Sequence, residues 1–204
     1  MICANAFFKN SDQHVTVLGR YPLQLAWWSR LFEYPWALRH AKPGQVVADM
    51  GCGWMPRPFK EALADVCDTV YAVDLDNRLL EQPITKPNLT YYVGDFCDHL
   101  DGLPEFDTIF CISVLEDVQD CLELALKNFA AHLKQDGRIV VTFDVPYNDN
   151  LPCNKYPGMQ VSHFEKMMEL AGLKWQGEVD TSKADAIHHQ GFNLTVFHGV
   201  LVHE

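Results

Sequence analysis

The sequence predicts a three-layer α/β sandwich: a seven-stranded, mostly parallel sheet with helices on both faces and a terminal antiparallel strand. From residue 45, short runs rich in Val, Ile, Tyr and Phe alternate with helix-like stretches, the alternation that builds a parallel sheet flanked by helices. The first five runs are nearly continuous in apolar residues, which implies burial on both faces. The chain has 204 residues; against about 150 per domain this leaves one domain with an elaboration.

The first strand is expected at 45–50 (QVVADM), after a Pro43-Gly44 turn, with a helical stretch from Pro56 to Ala64 behind it. Strands at 70–75, 89–93 and 106–113 follow, then a helix over 117–133 and a fifth strand at 138–145. Past Pro146 an Asn- and Pro-rich loop leads to a helix near 162–172. Its Ser162 and Glu165 have capping-box spacing, and Gly172 suits its C-terminal end. Runs at 173–179 and 193–204 complete the sheet as a strand pair. Residues 1–42 read as an N-terminal helical arm or lid, interrupted or kinked at Pro35, and residues 43–204 as the main domain.

Composition narrows the function. Acidic residues outnumber basic ones by 27 to 16, a net charge of −11, and such a field repels phosphate backbones. No nucleic-acid partner is expected. Only the arm is basic, with Lys9, Arg20, Arg30, Arg39 and Lys42 against Asp12 and Glu33. Seven cysteines, an odd number without CxxC spacing, suggest free or buried thiols in a reducing cytoplasm. No stretch approaches 18 apolar residues, so no membrane span is expected.

The most informative segment is VVADMGCGWMP (46–56). It sets Asp49 at the end of a buried strand and Gly51 and Gly53 in the turn before a helix. In an open parallel sheet ligands lie beyond the carboxyl ends of the strands, and glycines there let backbone approach them closely. Asp74 ends the second strand 21 residues after Gly53, where a carboxylate accepts both hydroxyls of a ribose. A nicotinamide dinucleotide fits less well, because Trp54, Met55 and Pro56 stand where a third small residue is needed for helix-to-strand packing.

In these motifs the chain resembles the class I S-adenosylmethionine-dependent methyltransferases over about residues 43–145. DMGCG is similar to the family's first motif, VDLD to its ribose-binding acid and GDF (94–96) to its adenine-side motif. FDTIFCISVLEDV matches its fourth strand and turn, and LKQDGRIVVTF its approach to the fifth strand. The resemblance implies a Rossmann-like fold and S-adenosylmethionine as cofactor. Asp49, Met50, Gly51, Cys52 and Gly53 would surround its methionine part. Asp74 would bind the ribose, and Leu75, Asp95 and Phe96 the adenine. Ile112, Ser113 and Val114 would line the floor near the sulfonium. Met55 stands where the family often has a further glycine, and Asp117 where it often has a histidine.

Methyl transfer from a sulfonium is an in-line displacement from an activated donor, so positioning and desolvation supply much of the acceleration. A base is needed only for an acceptor that is protonated. Asp144, Tyr147, His163 and His188, with His189, lie at or beyond the strand ends and are the acceptor-side residues to consider. Two adjacent histidines without a third ligand make a poor metal site, and no metal is expected. Tyr34 and Trp36 of the arm are expected near the methionine end, and the arm's arginines point to an anionic acceptor. The leading reading is a methyltransferase for a small, anionic molecule. The alternatives are a protein, tRNA or sugar acceptor, or a cofactor-binding partner protein without turnover.

Overall fold

The computed structural model describes residues 5–55, 58–98 and 100–204. In chain order the elements are β1 (Asn5–Phe7), β2 (Val17–Leu18), β3 (Tyr21–Pro22), α1 (Arg30–Leu38), β4 (Val46–Met50), α2 (Pro58–Val66), β5 (Thr69–Asp74), β6 (Leu89–Val93), β7 (Phe106–Ile112), α3 (Leu122–Ala131), β8 (Leu133–Pro146), α4 (Val161–Leu170), β9 (Leu173–Trp175), β10 (Val179–Asp180) and β11 (Leu194–His203). The main sheet runs β10-β1-β11-β8-β7-β4-β5-β6, and β9 also pairs with β11. From β8 to β6 neighbouring strands are parallel; β11 is antiparallel to β8 along Leu194–Leu201.

Strand alternation sorts the two faces. Ile109, Cys111, Ile139, Val141 and Phe143 pack with Phe129 of α3 and Phe164 of α4. Val47, Phe110, Ile112 and Val140 pack with Tyr34 and Ala37 of α1 and Phe59 and Leu63 of α2. The period of two therefore turns Thr142 and Asp144, which follow Val140 at even steps, toward α1. That parity places the site.

The described residues form nine strands in this sheet against seven expected. One extra strand comes from the arm: β1 pairs with β11 through Ala6 and Phe7 opposite His198 and Phe197. The other arises because Gly177, at φ 94°, turns the chain within 173–179 and separates β9 from β10. The segment expected as a helical arm thus holds a sheet strand and the β2-β3 hairpin as well as α1.

Three local expectations are corrected. Pro35 lies inside α1 without ending it; the Leu31 carbonyl that its missing N–H would have bonded accepts from Val15 N at 2.9 Å instead. The Ser162/Glu165 capping box does not form: Gln160 is the N-cap, and Glu165 accepts from Trp175 Nε1 at 3.1 Å. Between β7 and α3 the chain makes two short 3-10 turns, Leu115–Asp117 and Gln119–Cys121, separated by Val118 at φ −119°, ψ 32°, so the helix begins only at Leu122. Gly172, at φ 70° just past α4, ends that helix as expected.

The cysteines also depart from expectation. Cys97 and Cys121 form a disulfide with Cα atoms 5.8 Å apart. The two positions are remote in sequence, and only the fold brings the turn after β6 against the start of α3. Cys67 and Cys111 are buried free thiols, Cys52 is buried beside the glycine turn, and Cys153 is half-buried. Among the described residues no helix is long and apolar enough to cross a membrane.

Candidate functional site

The turn after β4 is built from backbone. Gly51 and Gly53 adopt φ 74° and 76°, the left-handed region that glycine enters without strain. The Gly51 and Cys52 N–H groups donate to Val73 O at 2.8 and 3.0 Å, tying the turn to β5. A Cβ on Gly51 would lie 2.6 Å from Val114 Cγ2. This close approach brings the glycine turn against the segment that follows β7, and a side chain here would have to displace Val114.

Asp74 fixes the same turn from the end of β5. Its Oδ2 accepts from Gly53 N at 2.7 Å and its Oδ1 from Asp76 N at 3.0 Å. Each carboxylate oxygen has a further lone-pair site, so a diol can still be held. Leu75 beside it is exposed. Trp54, read from the sequence only as an obstacle to a dinucleotide, and Arg78, not picked out there, flank this corner with the guanidinium 4.0 Å from the indole. Asp49 and Met50 are buried at the end of β4.

On the far side of β5, Asp95 is exposed and its Oδ1 accepts from Cys97 N at 2.8 Å. Phe96 turns into the core, its ring 5.3 Å from Phe129. The backbone of this turn, more than the Phe96 ring, is what faces outward. The disulfide at Cys97 joins it to the segment leaving β7.

The sequence signals converge most closely beneath α1. Ser113, at φ 48°, donates its N–H to Thr142 O at 2.9 Å and to Thr142 Oγ1 at 3.1 Å. The hydroxyls of Ser113 and Thr142 both donate to Glu33 Oε1. Oε2 of the same carboxylate takes Arg30 Nη1 at 2.6 Å, and Arg30 Nη2 donates to Ser113 O at 3.4 Å. Glu33 is fully buried. Burial opposes its charge, but Arg30 and the two hydroxyls outweigh that cost and hold the carboxyl below its ordinary range.

Asp144, two residues beyond Thr142 on the same face, has a carboxyl raised to about 7, by burial first and then by Glu33 and Asp117, with Arg30 opposing. Glu116 is 4% exposed; burial and then Asp144 push its carboxyl well above the usual range.

The other acceptor-side residues divide. Tyr147 and His188 stack at 4.2 Å with ring planes 13° apart, which joins the loop after β8 to the one before β11. His163 stands apart on the first turn of α4. His189 stacks on Phe192 at 4.0 Å. Among the described residues no three His, Cys, Asp or Glu side chains converge to hold a metal.

The arm's aromatics are mostly structural. Tyr34 is buried and stacked on Phe59 at 4.9 Å. Trp36 packs against Phe8 and His198, at 6.0 and 4.5 Å, on the flank of β11. Trp27 lines a separate cleft of about 270 Å³ with Tyr21, Lys60 and Tyr91, which shares no residue with the glycine turn. Thr142, Glu33 and Glu116 were not singled out from the sequence. A lone acid in the apolar run WWSRLFEYPW, and the period of two through VVTFDV, were the available signals.

The residues present fit S-adenosylmethionine. The Gly51 cradle and the free lone pairs of Asp74 supply the close backbone contact and the diol acceptor that it requires. Residues 48–141 match a family model described as a methyltransferase domain. A TehB-like S-adenosylmethionine-dependent methyltransferase from Corynebacterium glutamicum is similar in structure, with TM-score 0.60 and 22% identity over 82% of this chain and 87% of that one. The 1,6-didemethyltoxoflavin-N1-methyltransferase of Burkholderia thailandensis, solved with 1,6-didemethyltoxoflavin and S-adenosylhomocysteine, has TM-score 0.63 and 17% identity over 86% and 80%. The cyclase SpnF has TM-score 0.68 and 11% identity over 100% and 88%. At these identities the likeness is one of fold. No curated protein matches the chain significantly.

Proposed function

We propose that the chain is a class I S-adenosylmethionine-dependent methyltransferase, a reading that its match to a methyltransferase-domain model supports, and that the methyl group goes to a small molecule held between the glycine turn and α1. The supporting observation is the roof over the acceptor side: Glu33 pins α1 across the ends of β7 and β8 through Ser113, Thr142 and Arg30. A site covered by a pinned helix suits a small acceptor better than a polymer, and the acidic body of the chain agrees.

In this reading Gly51, Cys52 and Gly53 present backbone to the methionine part of the cofactor, Asp74 accepts from the ribose, and the turn at Asp95 borders the adenine. Bound there, the cofactor supplies a methyl group already activated on a sulfonium. The chain's part is to align the acceptor with it and to exclude water. Ser113 and Val114 close the floor, and α1 closes the top.

An anionic acceptor draws little support from the arm. Arg30 is committed to Glu33 and Arg20 pairs with Asp65 at the surface; Arg39 is exposed beside Gln13. Calorimetry should show S-adenosylhomocysteine binding. The low-mass fraction of a lysate should then support S-adenosylhomocysteine release from S-adenosylmethionine. Release with the high-mass fraction alone would refute a small acceptor.

A further inference from the structure

We propose, building on the methyltransferase reading above, that the acceptor is a small protonated amine, which Asp144 binds and deprotonates beside the carboxyl group of Glu116. Oδ1 of Asp144 and Oε2 of Glu116 are fully buried, and neither has a hydrogen-bond partner among the described residues. Buried acceptors left unmatched are costly, and N–H donors remove that cost. Asp144 acts electrostatically on Glu116, so the two unmatched carboxyls are neighbours, and together they call for a ligand that brings more than one N–H, as an ammonium does.

Charge points the same way. Among the described residues the guanidinium that faces Asp144 is that of Arg30, and Glu33 neutralises it at 2.6 Å. Asp144 is faced by Arg30 and Glu33 from α1 and by Glu116 and Asp117 from the turn after β7; Cys153 of the loop after β8 lies close enough to feel its charge. Carboxyls therefore dominate, and a carboxylate or phosphate ligand would be repelled. With Glu116 kept neutral by burial and by its neighbour, Asp144 is the group free to ionise. Its carboxyl, raised to about 7, suits a base that works near neutral pH.

The proton transfer balances simply. An N–H bond of the ammonium breaks, an O–H bond forms on Asp144, and nitrogen keeps the electron pair. That lone pair is what a methyl acceptor must present, and removing the ammonium charge also ends its repulsion with a sulfonium.

Ethylammonium chloride serves as the probe, with sodium acetate and sodium chloride as controls, titrated into the protein saturated with S-adenosylhomocysteine and read by thermal shift. Ethylammonium should raise the melting temperature and acetate should not. A group raised to about 7 is ionised above that pH, so the apparent affinity should fall about tenfold or more from about pH 8 to about pH 5.5. In Asp144→Asn the shift and its pH dependence should vanish, and in Glu116→Leu, which removes the second acceptor at similar volume, the affinity should drop by about threefold or more. No shift with ethylammonium, an equal shift with acetate, or an unchanged shift in both variants would overturn the proposal. Failure of S-adenosylhomocysteine to bind in the calorimeter would instead overturn the methyltransferase reading.

Discussion

Single residues decide whether the cofactor corner exists. Gly51 is under two independent constraints, a φ of 74° and a neighbour 2.6 Å from where a Cβ would stand. Gly51→Ala should cost about 1–3 kcal/mol of stability. It should also weaken S-adenosylhomocysteine binding tenfold or more by calorimetry, since Val114 must move to admit the methyl. Wild-type affinity in that variant would refute the close-approach argument. Gly51 and Asp74 were legible in the sequence because their roles depend on local chain geometry: a turn at a strand end and an acid at the next. Glu116 was not, because its environment is made by Asp144 and Arg30, 28 and 86 residues away in sequence.

Among the elements, α1 depends most on contacts outside itself. It is nine residues long with a proline inside, and a helix this short is marginal by its own propensity. Its anchor is the buried Glu33 carboxylate. Glu33→Gln takes from the largely buried Arg30 its directly bonded carboxylate, which should cost about 3–5 kcal/mol, and α1 should loosen first. Hydrogen exchange that is faster across 30–38 than across β4 and β7 would check this. Strands β4 to β8 were readable because continuous apolar runs are a local signal. The start of α3 was not, since its apolar pattern continues back through residues that the chain bends into 3-10 turns. The Ser162/Glu165 spacing misled for a similar reason: Trp175, from another element, takes the carboxylate.

At the scale of the molecule the disulfide is the feature composition concealed. Seven cysteines scattered along the chain gave no pairing, and only the folded topology sets Cys97 against Cys121, 24 residues apart. A loop of that length restricts the unfolded chain by about 3 kcal/mol. The double variant Cys97→Ser/Cys121→Ser should melt several degrees lower than the oxidised protein, and reductant should lower the wild type toward it. Equal melting temperatures in all three would show that the bond contributes nothing. Because the clip joins the Asp95 turn to the segment leaving β7, its loss should weaken S-adenosylhomocysteine binding as well.

The strand at Asn5–Phe7 pairs with β10 and β11, Asn5 opposite Val179 and Ala6 opposite His198. During synthesis it leaves the ribosome long before these hydrogen-bonding neighbours. A nascent chain therefore carries an unzipped edge until β10 and β11 follow, and this part of the sheet closes only then.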